Sequence, residues 1–281
     1  MDNYLGTKLA EGGCAEVFAW LDGDNKVVKL AKANTNLHAL KAELRHSGIA
    51  WQLGLPVPRP YGLVQALDRD GIVFERATGE TILQGFVRLA QTGVDGRPAE
   101  ASADCLKART TARLLYRIHS QTSDELPAQR GSVERDIRRA ITLADAEKDA
   151  VVALLNALPL RQQLCHGDPN PGNILCDGDD AVVIDWNNAT VGNPEADLAE
   201  YILMLRYAVL PSSMPAAAIS LFDAVRESSI QQFVDEYRSL SGIGAAEVEP
   251  WMAPIAARKL AADAISDTEK GLLAAEIRRR L

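Results

Sequence analysis

The chain has 281 residues, of which 47% are hydrophobic and 24% charged, so it can bury the core of one large domain or two modest ones. Its formal net charge of −8 disfavours nucleic acid as a partner. Residues 1–77 carry equal numbers of acidic and basic side chains, so the acidic excess lies entirely in residues 78–281. This excess favours a cationic or neutral ligand in that part of the chain. The alternative is that it serves only solubility.

The four cysteines, at positions 14, 105, 165 and 176, show neither CxxC spacing nor the density of a disulfide framework. A reduced, cytoplasmic chain is therefore predicted. The first residues lack the charged start and apolar run of a signal peptide, and the longest apolar stretch, Tyr201 to Leu210, contains Arg206. We expect no membrane segment, and a monomer or weak homodimer.

Three short antiparallel strands are predicted over residues 6–10, 16–20 and 26–30, separated by turn residues. The first turn contains Gly12 and Gly13. Glycine lets backbone amides approach phosphate oxygens because it has no Cβ, although a glycine pair is also common in ordinary turns. Lys29 lies on an otherwise apolar strand, where a charged residue usually faces solvent.

One main helix is predicted after Asn36, because apolar residues recur with helical spacing until Gly54 and the prolines that follow. Glu43 lies at the edge of its buried face. Two further strands, at 61–66 and 72–76, complete a five-stranded sheet, and the pattern breaks immediately afterwards. We therefore predict an N-terminal lobe over residues 1–77 and a C-terminal lobe over 78–281.

The C-terminal lobe is predicted to be mostly helical, with a polar loop over 91–102 and a long helix that Asp104 caps and that runs to about Ser120. One or two helices are expected over 132–158. His119, at the end of a helix, is interpreted as structural. Acids on the later helices are candidates for contacting a cationic ligand, although exposed acids are common on helices: Glu195, Glu200, Asp223, Glu227, Asp235, Glu236 and Asp263.

The stretch from Leu164 to Trp186 predicts a strand, a polar loop, a strand, a tight turn and a strand. It carries Asp168, Asn173 and Asp185 close together in sequence. A base and two hard oxygen ligands for magnesium are then expected at one site. The alternative is a surface hairpin whose Asp and Asn residues merely suit turns.

The order His166-Gly-Asp168, four residues, Asn173, then an apolar strand ending in Ile-Asp185-Trp resembles the catalytic and metal loops of the aminoglycoside phosphotransferase family. Those enzymes share the protein-kinase fold, with its H-R-D-x-x-x-x-N and D-F-G patterns. The resemblance implies an α+β, bilobal protein-kinase-like fold. Its N-terminal lobe has an antiparallel sheet with one main helix, and its C-terminal lobe is larger and mostly helical.

The same resemblance implies a role for each of these polar residues. Asp168 accepts the proton of a substrate hydroxyl, and Asn173 and Asp185 hold Mg²⁺ on the phosphates of ATP. Lys29 holds the α- and β-phosphates, because Val-Val-Lys-Leu is similar to the Val-Ala-Ile-Lys strand of kinases. Glu43, the most central acid on the main helix, is assigned as the partner of Lys29; a surface Glu with a local ion pair is the alternative.

The implied nucleotide site also includes Gly12 and Gly13 as a phosphate-contacting loop, and a hinge after the last strand. Phe74 is expected at the back of the adenine pocket, and Glu75 and Ala77 are expected to supply main-chain contacts. Backbone contacts of this kind do not identify the base, so GTP remains a candidate nucleotide beside ATP.

The chain departs from the kinase pattern at Gly167, Asn170 and Trp186, which stands where kinases have Phe, and from many family members at Asn187. Gly167 stands where kinases have Arg, and Asn170 replaces a lysine, which removes a charge that could neutralise the moving phosphoryl group. Asn187 stands where many family members carry an acid. The segment after Asp185 is too short for a regulated activation loop, which favours a small-molecule kinase. The resemblance further implies that Asp197 braces the catalytic loop.

The predicted function is Mg²⁺-dependent transfer of the ATP γ-phosphoryl group to a hydroxyl of a small molecule. An aminoglycoside-type antibiotic or related amino sugar is the first candidate acceptor, which would make this a resistance enzyme. A metabolite kinase for a choline-like amine or a sugar is the alternative. A non-catalytic nucleotide-binding scaffold is the second alternative, against which the intact set of polar residues argues.

Overall fold

A computed structural model of the chain describes residues 4–92, 104–262 and 265–281. Its contacts divide the chain into two compact units. The first unit comprises Met1–Gly79 and Leu175–Asn188, and the second comprises Glu80–Ile174 and Ala189–Leu281. The sequence predicted one boundary, whereas the chain leaves the first unit after Gly79 and returns to it at Leu175. Across the described ranges, no helix combines the length and apolarity needed to cross a membrane.

A five-stranded antiparallel sheet dominates the first unit, in the order β1-β2-β3-β5-β4. One face buries a cluster around Val28, Leu30 and Val73. The other face packs Ile72 against Leu40 of the main helix. The predicted strands are confirmed, with these bounds: β1 (Leu5–Glu11), β2 (Ala15–Trp20), β3 (Lys26–Ala31), β4 (Pro60–Ala66) and β5 (Arg69–Glu75).

The main helix, α1 (Leu37–Gln52), begins where the sequence predicted. The Asn36 side chain accepts a hydrogen bond from the Ala39 amide at 3.0 Å, which satisfies one of the free donors at a helix start. The helix buries the polar residues Glu43, His46 and Ser47 along with its apolar face. Because Glu43 and His46 are three positions apart, both project from one side of the helix.

The returning segment of the first unit begins with a hairpin of β8 (Ile174–Asp177) and β9 (Asp180–Val183), followed by a 3₁₀ turn over Trp186–Asn188. The indole nitrogen of Trp186 donates to the Val183 carbonyl at 3.1 Å, and only 1% of its side chain is exposed. His46 Nδ1 lies 3.0 Å from the Trp186 carbonyl oxygen. The main helix therefore anchors the segment on which Asp185 lies.

The second unit is mostly helical, and α6 packs against α7 and α9 within it. Short strands β7 (Gln163–Cys165) and β10 (Thr190–Gly192) pair in antiparallel fashion. The remaining elements are β6 (Glu80–Thr81), α2 (Ile82–Thr92), α3 (Ala108–His119), α4 (Gln129–Arg139), α5 (Asp145–Ala157), α6 (Pro194–Tyr207), α7 (Ala216–Ser241), α8 (Ala245–Val248), a 3₁₀ turn over Glu249–Trp251, α9 (Met252–Lys259) and α10 (Asp267–Arg280).

Two predicted boundaries in this unit are wrong. Helix α3 begins at Ala108, later than a helix capped directly by Asp104 would begin, because Lys107 adopts a left-handed conformation with φ 44°. Asp104 still caps the helix, since its carboxylate accepts the Ala108 amide at 2.6 Å. The loop predicted over 91–102 lies mainly outside the described residues, and its first two positions belong to α2.

Gly79 cannot carry a side chain without disturbing the backbone beside it. Its φ is +91°, and a Cβ atom there would lie 2.1 Å from the Cys176 carbonyl oxygen. We expect Gly79→Ala to lower the free energy of unfolding by at least about 1–2 kcal/mol, the usual cost of a left-handed Ala, with the steric contact adding to it. Urea denaturation monitored by circular dichroism measures this.

The matched control is Gly131→Ala in helix α4, where a Cβ would meet nothing within 4 Å. There Ala is expected to raise the free energy of unfolding by about 0.5–1 kcal/mol, because Ala is the better helix former. Equal effects of the two substitutions would contradict the strain assigned to Gly79.

Candidate active site

In the first unit, the structure brings Lys29 together with two carboxylates. The Lys29 ammonium lies 2.5 Å from Glu43 Oε1 and 3.3 Å from Asp185 Oδ1. Burial alone would lower the pKa of Lys29, but the carboxylates of Asp185 and Glu43 outweigh it, and the pKa lies above its ordinary value. Lys29 is thus held as a cation, and it does not project freely into solvent.

Asn187 joins the two carboxylates of this group. Its amide nitrogen donates to Asp185 Oδ1 at 2.8 Å and to Glu43 Oε2 at 3.2 Å. A carboxylate here would repel both neighbours, whereas an amide donates to them. The sequence showed Asn187 only as a departure from the family pattern, because its bridging role depends on the fold of α1.

Asp185 has a backbone conformation that is uncommon for a residue with a side chain, with φ +65°. Such conformations cost about 1–3 kcal/mol and persist where surrounding contacts hold them. The anchored Trp186 on one side and the hydrogen bond from Asn187 on the other provide those contacts. The side chain of Asp185 is 37% exposed, so its carboxylate remains accessible to a ligand.

The other residues predicted for the nucleotide site also lie in the first unit. Gly12 and Gly13 form the turn between β1 and β2, where the Gly12 amide donates to the Ala15 carbonyl at 2.9 Å. Phe74, on β5, packs with the apolar cluster beneath α1. Glu75 ends β5, and Ala77 follows it.

The hinge amides are not equally available for hydrogen bonding. The Glu75 amide donates to the Arg59 carbonyl and the Arg76 amide donates to the Asn25 carbonyl, both at 2.8 Å. In the described part of the chain, no hydrogen bond engages the Ala77 amide. Glu75 and Ala77 also line a first-unit cavity of about 300 Å³, which Lys29 does not reach.

In the second unit, the loop between β7 and β8 holds Asp168 between two asparagines. The Asn170 amide nitrogen donates to one carboxylate oxygen of Asp168 at 3.0 Å, and the Asn173 amide nitrogen donates to the other at 3.0 Å. Burial raises the pKa of Asp168 above its ordinary value, although the hydrogen bond from Asn170 opposes this. The carboxylate is thereby fixed in orientation.

The backbone of this loop is held by Asp197 of α6, as predicted. The Asp197 carboxylate accepts the amides of His166 at 2.7 Å and Gly167 at 2.9 Å. His119 Nε2 lies 3.2 Å from the same carboxylate, and His119 Nδ1 lies 2.6 Å from the Tyr237 hydroxyl. Burial alone would raise the pKa of Asp197, but the hydrogen bond from His119 and neighbouring charges lower it. His119 thus contacts two buried side chains, and its structural role stays a prediction.

The candidate acids for a cationic acceptor already have partners within the second unit. Asp263 lies outside the described residues. The others bond as follows: Glu195 with Arg161, Glu200 with Arg258 and Lys259, Asp223 with Arg226, Glu227 with Arg206, Glu236 with Arg113, and Asp235 with the amide of Gln231. None of these pairs by itself indicates an acceptor site.

Solved structures similar to this chain include a thermostable mutant of aminoglycoside phosphotransferase APH(4)-Ia, at 16% identity and TM-score 0.65, with 98% of this chain and 94% of that chain covered. Amicoumacin kinase hAmiN, in complex with AMP-PNP, Ca²⁺ and Ami, is similar at 15% identity and TM-score 0.61, covering 99% and 88%. A choline/ethanolamine kinase family protein from Mesorhizobium loti is similar at 16% identity and TM-score 0.59, covering 98% and 87%. These likenesses confirm the predicted α+β kinase-like fold.

No curated protein matched the sequence significantly. A family model described as the phosphotransferase enzyme family, APH, matches residues 7–222 of the 281. This match spans the sheet, the main helix, the catalytic loop and α6. The chain therefore belongs to the phosphotransferase enzyme family.

Proposed function

We propose that this phosphotransferase moves the γ-phosphoryl group of ATP to a hydroxyl of a small molecule and requires Mg²⁺. The observation that carries the proposal is that each unit holds its predicted polar residues in bonded geometry. Lys29 is bound to Glu43 and Asp185 in the first unit, and Asp168 is bound by Asn173 in the second. A scaffold protein has no need to retain both groups.

In the proposed reaction, the acceptor oxygen forms a bond to the γ-phosphorus, and the bond from that phosphorus to the β,γ-bridging oxygen breaks. The hydroxyl proton passes to the carboxylate of Asp168, and ADP leaves. Transfer of this kind depends mainly on positioning and charge neutralisation. The two asparagine amides that fix Asp168 serve the first need, and the cation of Lys29 serves the second.

The donor atoms present fit magnesium. Asp185 offers carboxylate oxygens, and the amide oxygen of Asn173 is left for a cation because its nitrogen donates to Asp168. Hard oxygen ligands of this type suit Mg²⁺. When bound, the ion would neutralise negative charge on the phosphates. We assign Asn173 and Asp185 as its protein ligands.

The glycine turn supports phosphate binding by the first unit. Neither Gly12 nor Gly13 has a positive φ, and a Cβ at Gly13 would meet nothing within 4 Å, while one at Gly12 would be 3.9 Å from its nearest neighbour. Among the described residues, no backbone conformation or neighbouring atom therefore requires glycine at these positions. We propose that both are small so that phosphate can approach the backbone.

The adenine is proposed to bind at the hinge. The Ala77 amide is assigned as the donor, since the amide of Glu75 is already bonded within the sheet. Glu75 then contributes through its carbonyl, and Phe74 forms part of the apolar wall. GTP remains a second candidate because these contacts use main-chain atoms only.

For the acceptor, we propose an aminoglycoside-type antibiotic or related amino sugar, which would give a resistance role in the cytoplasm. A similar structure is of an aminoglycoside phosphotransferase. A choline-like amine is the second candidate, because another similar structure is of the choline/ethanolamine kinase family. Because several helical acids already take part in ion pairs, singly charged amines and neutral sugars belong in the test beside aminoglycosides.

The test is a phosphoryl-transfer screen with labelled ATP and GTP against aminoglycosides, amino sugars, neutral sugars and amino alcohols. We expect transfer to at least one small hydroxyl compound, and loss of transfer when EDTA removes Mg²⁺, with recovery on adding Mg²⁺ back. The recovery arm separates a metal requirement from denaturation by the chelator.

Transfer only to amino alcohols or neutral sugars would replace the antibiotic acceptor with a metabolite. Transfer to peptides and to none of the small molecules would overturn the proposal. Activity that survives complete removal of divalent ions would remove the assignment of Asn173 and Asp185.

A further inference from the structure

Helix α9 ends with two adjacent cations, Arg258 and Lys259, and both bind one carboxylate on α6. The Lys259 ammonium lies 2.9 Å from Glu200 Oε1, and an Arg258 guanidinium nitrogen lies 3.4 Å from Glu200 Oε2. The three side chains are only 12%, 17% and 8% exposed, for Lys259, Arg258 and Glu200 respectively. Buried ion pairs are weak sources of stability, so their retention calls for another reason.

Arg258 also binds the catalytic loop directly. Its second terminal nitrogen donates to the Gly167 carbonyl at 2.8 Å, while the Gly167 amide donates to Asp197 at 2.9 Å. Gly167 has φ +81° and immediately precedes Asp168. Helices α6 and α9 thus hold both polar backbone groups of this residue, and a charge-assisted hydrogen bond is stronger than a neutral one.

Lys259 directly follows Arg258, whose guanidinium binds the residue next to Asp168. Burial alone would lower the pKa of Lys259, but Glu200 and Asp168 among its neighbours raise it, and the lysine stays charged. Glu269 of α10 is a further acid near this ammonium. Lys259 is therefore a largely buried cation, held by Glu200, whose charge interacts with that of the carboxylate to which the acceptor proton is assigned.

These two cations match what the catalytic loop itself lacks. Gly167 occupies the place of the kinase arginine, and Asn170 occupies the place of the kinase lysine. We propose that Lys259 supplies, from α9, the positive charge that Asn170 cannot supply to the transferring phosphoryl group. Arg258 is a positioning residue that acts through the Gly167 carbonyl. This inference rests on the proposed phosphotransferase function.

The test compares Lys259→Met with the wild type in steady-state transfer from ATP to the acceptor found by the screen. Met has a similar volume and leaves Glu200 its pair with Arg258, so the fold is expected to survive. We expect kcat to fall by about 10–100-fold with KM for ATP changed by less than about 3-fold, because a charge used in the transition state is lost. Lys259→Arg should recover most of kcat.

A second readout separates chemistry from structure. In Lys259→Ala, added ethylammonium should raise kcat in proportion to its concentration, because it restores a cation in the vacated space. Lys148→Met is the matched control: Lys148 pairs with Asp145 at 3.2 Å and is 15% exposed, but it lies on α5. That variant should show unchanged kcat with and without ethylammonium.

The outcomes distinguish this inference from the function on which it rests. If the wild type transfers phosphate and Lys259→Met has the same kcat, the inference is wrong and the proposed function stands. The inference is also wrong if kcat falls only in proportion to the loss of thermal stability and neither Lys259→Arg nor ethylammonium restores it. Lys259 would then serve only to hold α6 and α9 together. If the wild type transfers phosphate to no acceptor, both the inference about Lys259 and the proposed function are wrong.

Discussion

Asp168→Asn is expected to lower kcat for phosphoryl transfer by about 10²–10⁴-fold, the usual contribution of a positioned general base. The amide cannot accept the proton of the acceptor hydroxyl, while the hydrogen bonds that hold the loop backbone to Asp197 remain. KM for ATP should change little, because Asp168 is not assigned to the nucleotide. Initial rates of ADP formation at saturating acceptor measure the effect.

The matched control is Asp124→Asn, at an exposed position of the same unit, which should leave kcat unchanged. Binding of Mg²⁺-ATP to both variants, measured by calorimetry, confirms that the nucleotide site is intact. Unchanged turnover in Asp168→Asn, with nucleotide still bound, would favour the non-catalytic scaffold instead of an enzyme.

Lys29→Met is expected to lower kcat/KM for ATP by about 10²–10³-fold, comparable to the loss of one preorganised group that stabilises charge. The substitution removes the cation and leaves Glu43 and Asp185 without it, so their negative charge then opposes the phosphates. Rates measured over a range of ATP concentrations, at constant Mg²⁺, separate the loss in binding from the loss in turnover.

Lys41→Met serves as the control, because Lys41 is an exposed residue on α1, the helix that carries Glu43. It should match the wild type in both kcat and KM. Glu43→Gln should give an intermediate loss, since the amide keeps a contact to Lys29 but not the charge. An unaltered KM and kcat in Lys29→Met would show that the lysine has no part in nucleotide use.

The sequence predicted the elements whose signals are local. Alternating and helical apolar spacing located the five strands of the sheet and α1, and Asn36 marked the start of that helix. Strand β10 escaped prediction because three residues have no periodicity, and its pairing depends on Val191 meeting Leu164 across the fold. The start of α3 was misplaced because the conformation of Lys107 has no signature in composition.

The residues of the candidate site likewise fall into those with a local signal in the sequence and those whose contacts depend on the fold. Asp168 and Asn173 could be identified together from sequence because only five positions separate them. The structure joins them by a direct hydrogen bond. Arg258 could not be connected with the loop, since its contact at Gly167 lies 91 positions away in sequence. Asn187 was recognised as unusual, but only the position of Glu43 shows why an amide is useful there.

The two-segment composition of the first unit affects the order in which the protein is made. Lys29 and Glu43 leave the ribosome early, but Asp185 follows only after the intervening Glu80–Ile174 has been synthesised. At a synthesis rate of about 5–20 residues per second, this interval lasts on the order of 10 s. The group of Lys29, Glu43 and Asp185 is therefore completed late in translation, and a nascent chain released before Leu175 would carry the sheet without the nucleotide site that we propose.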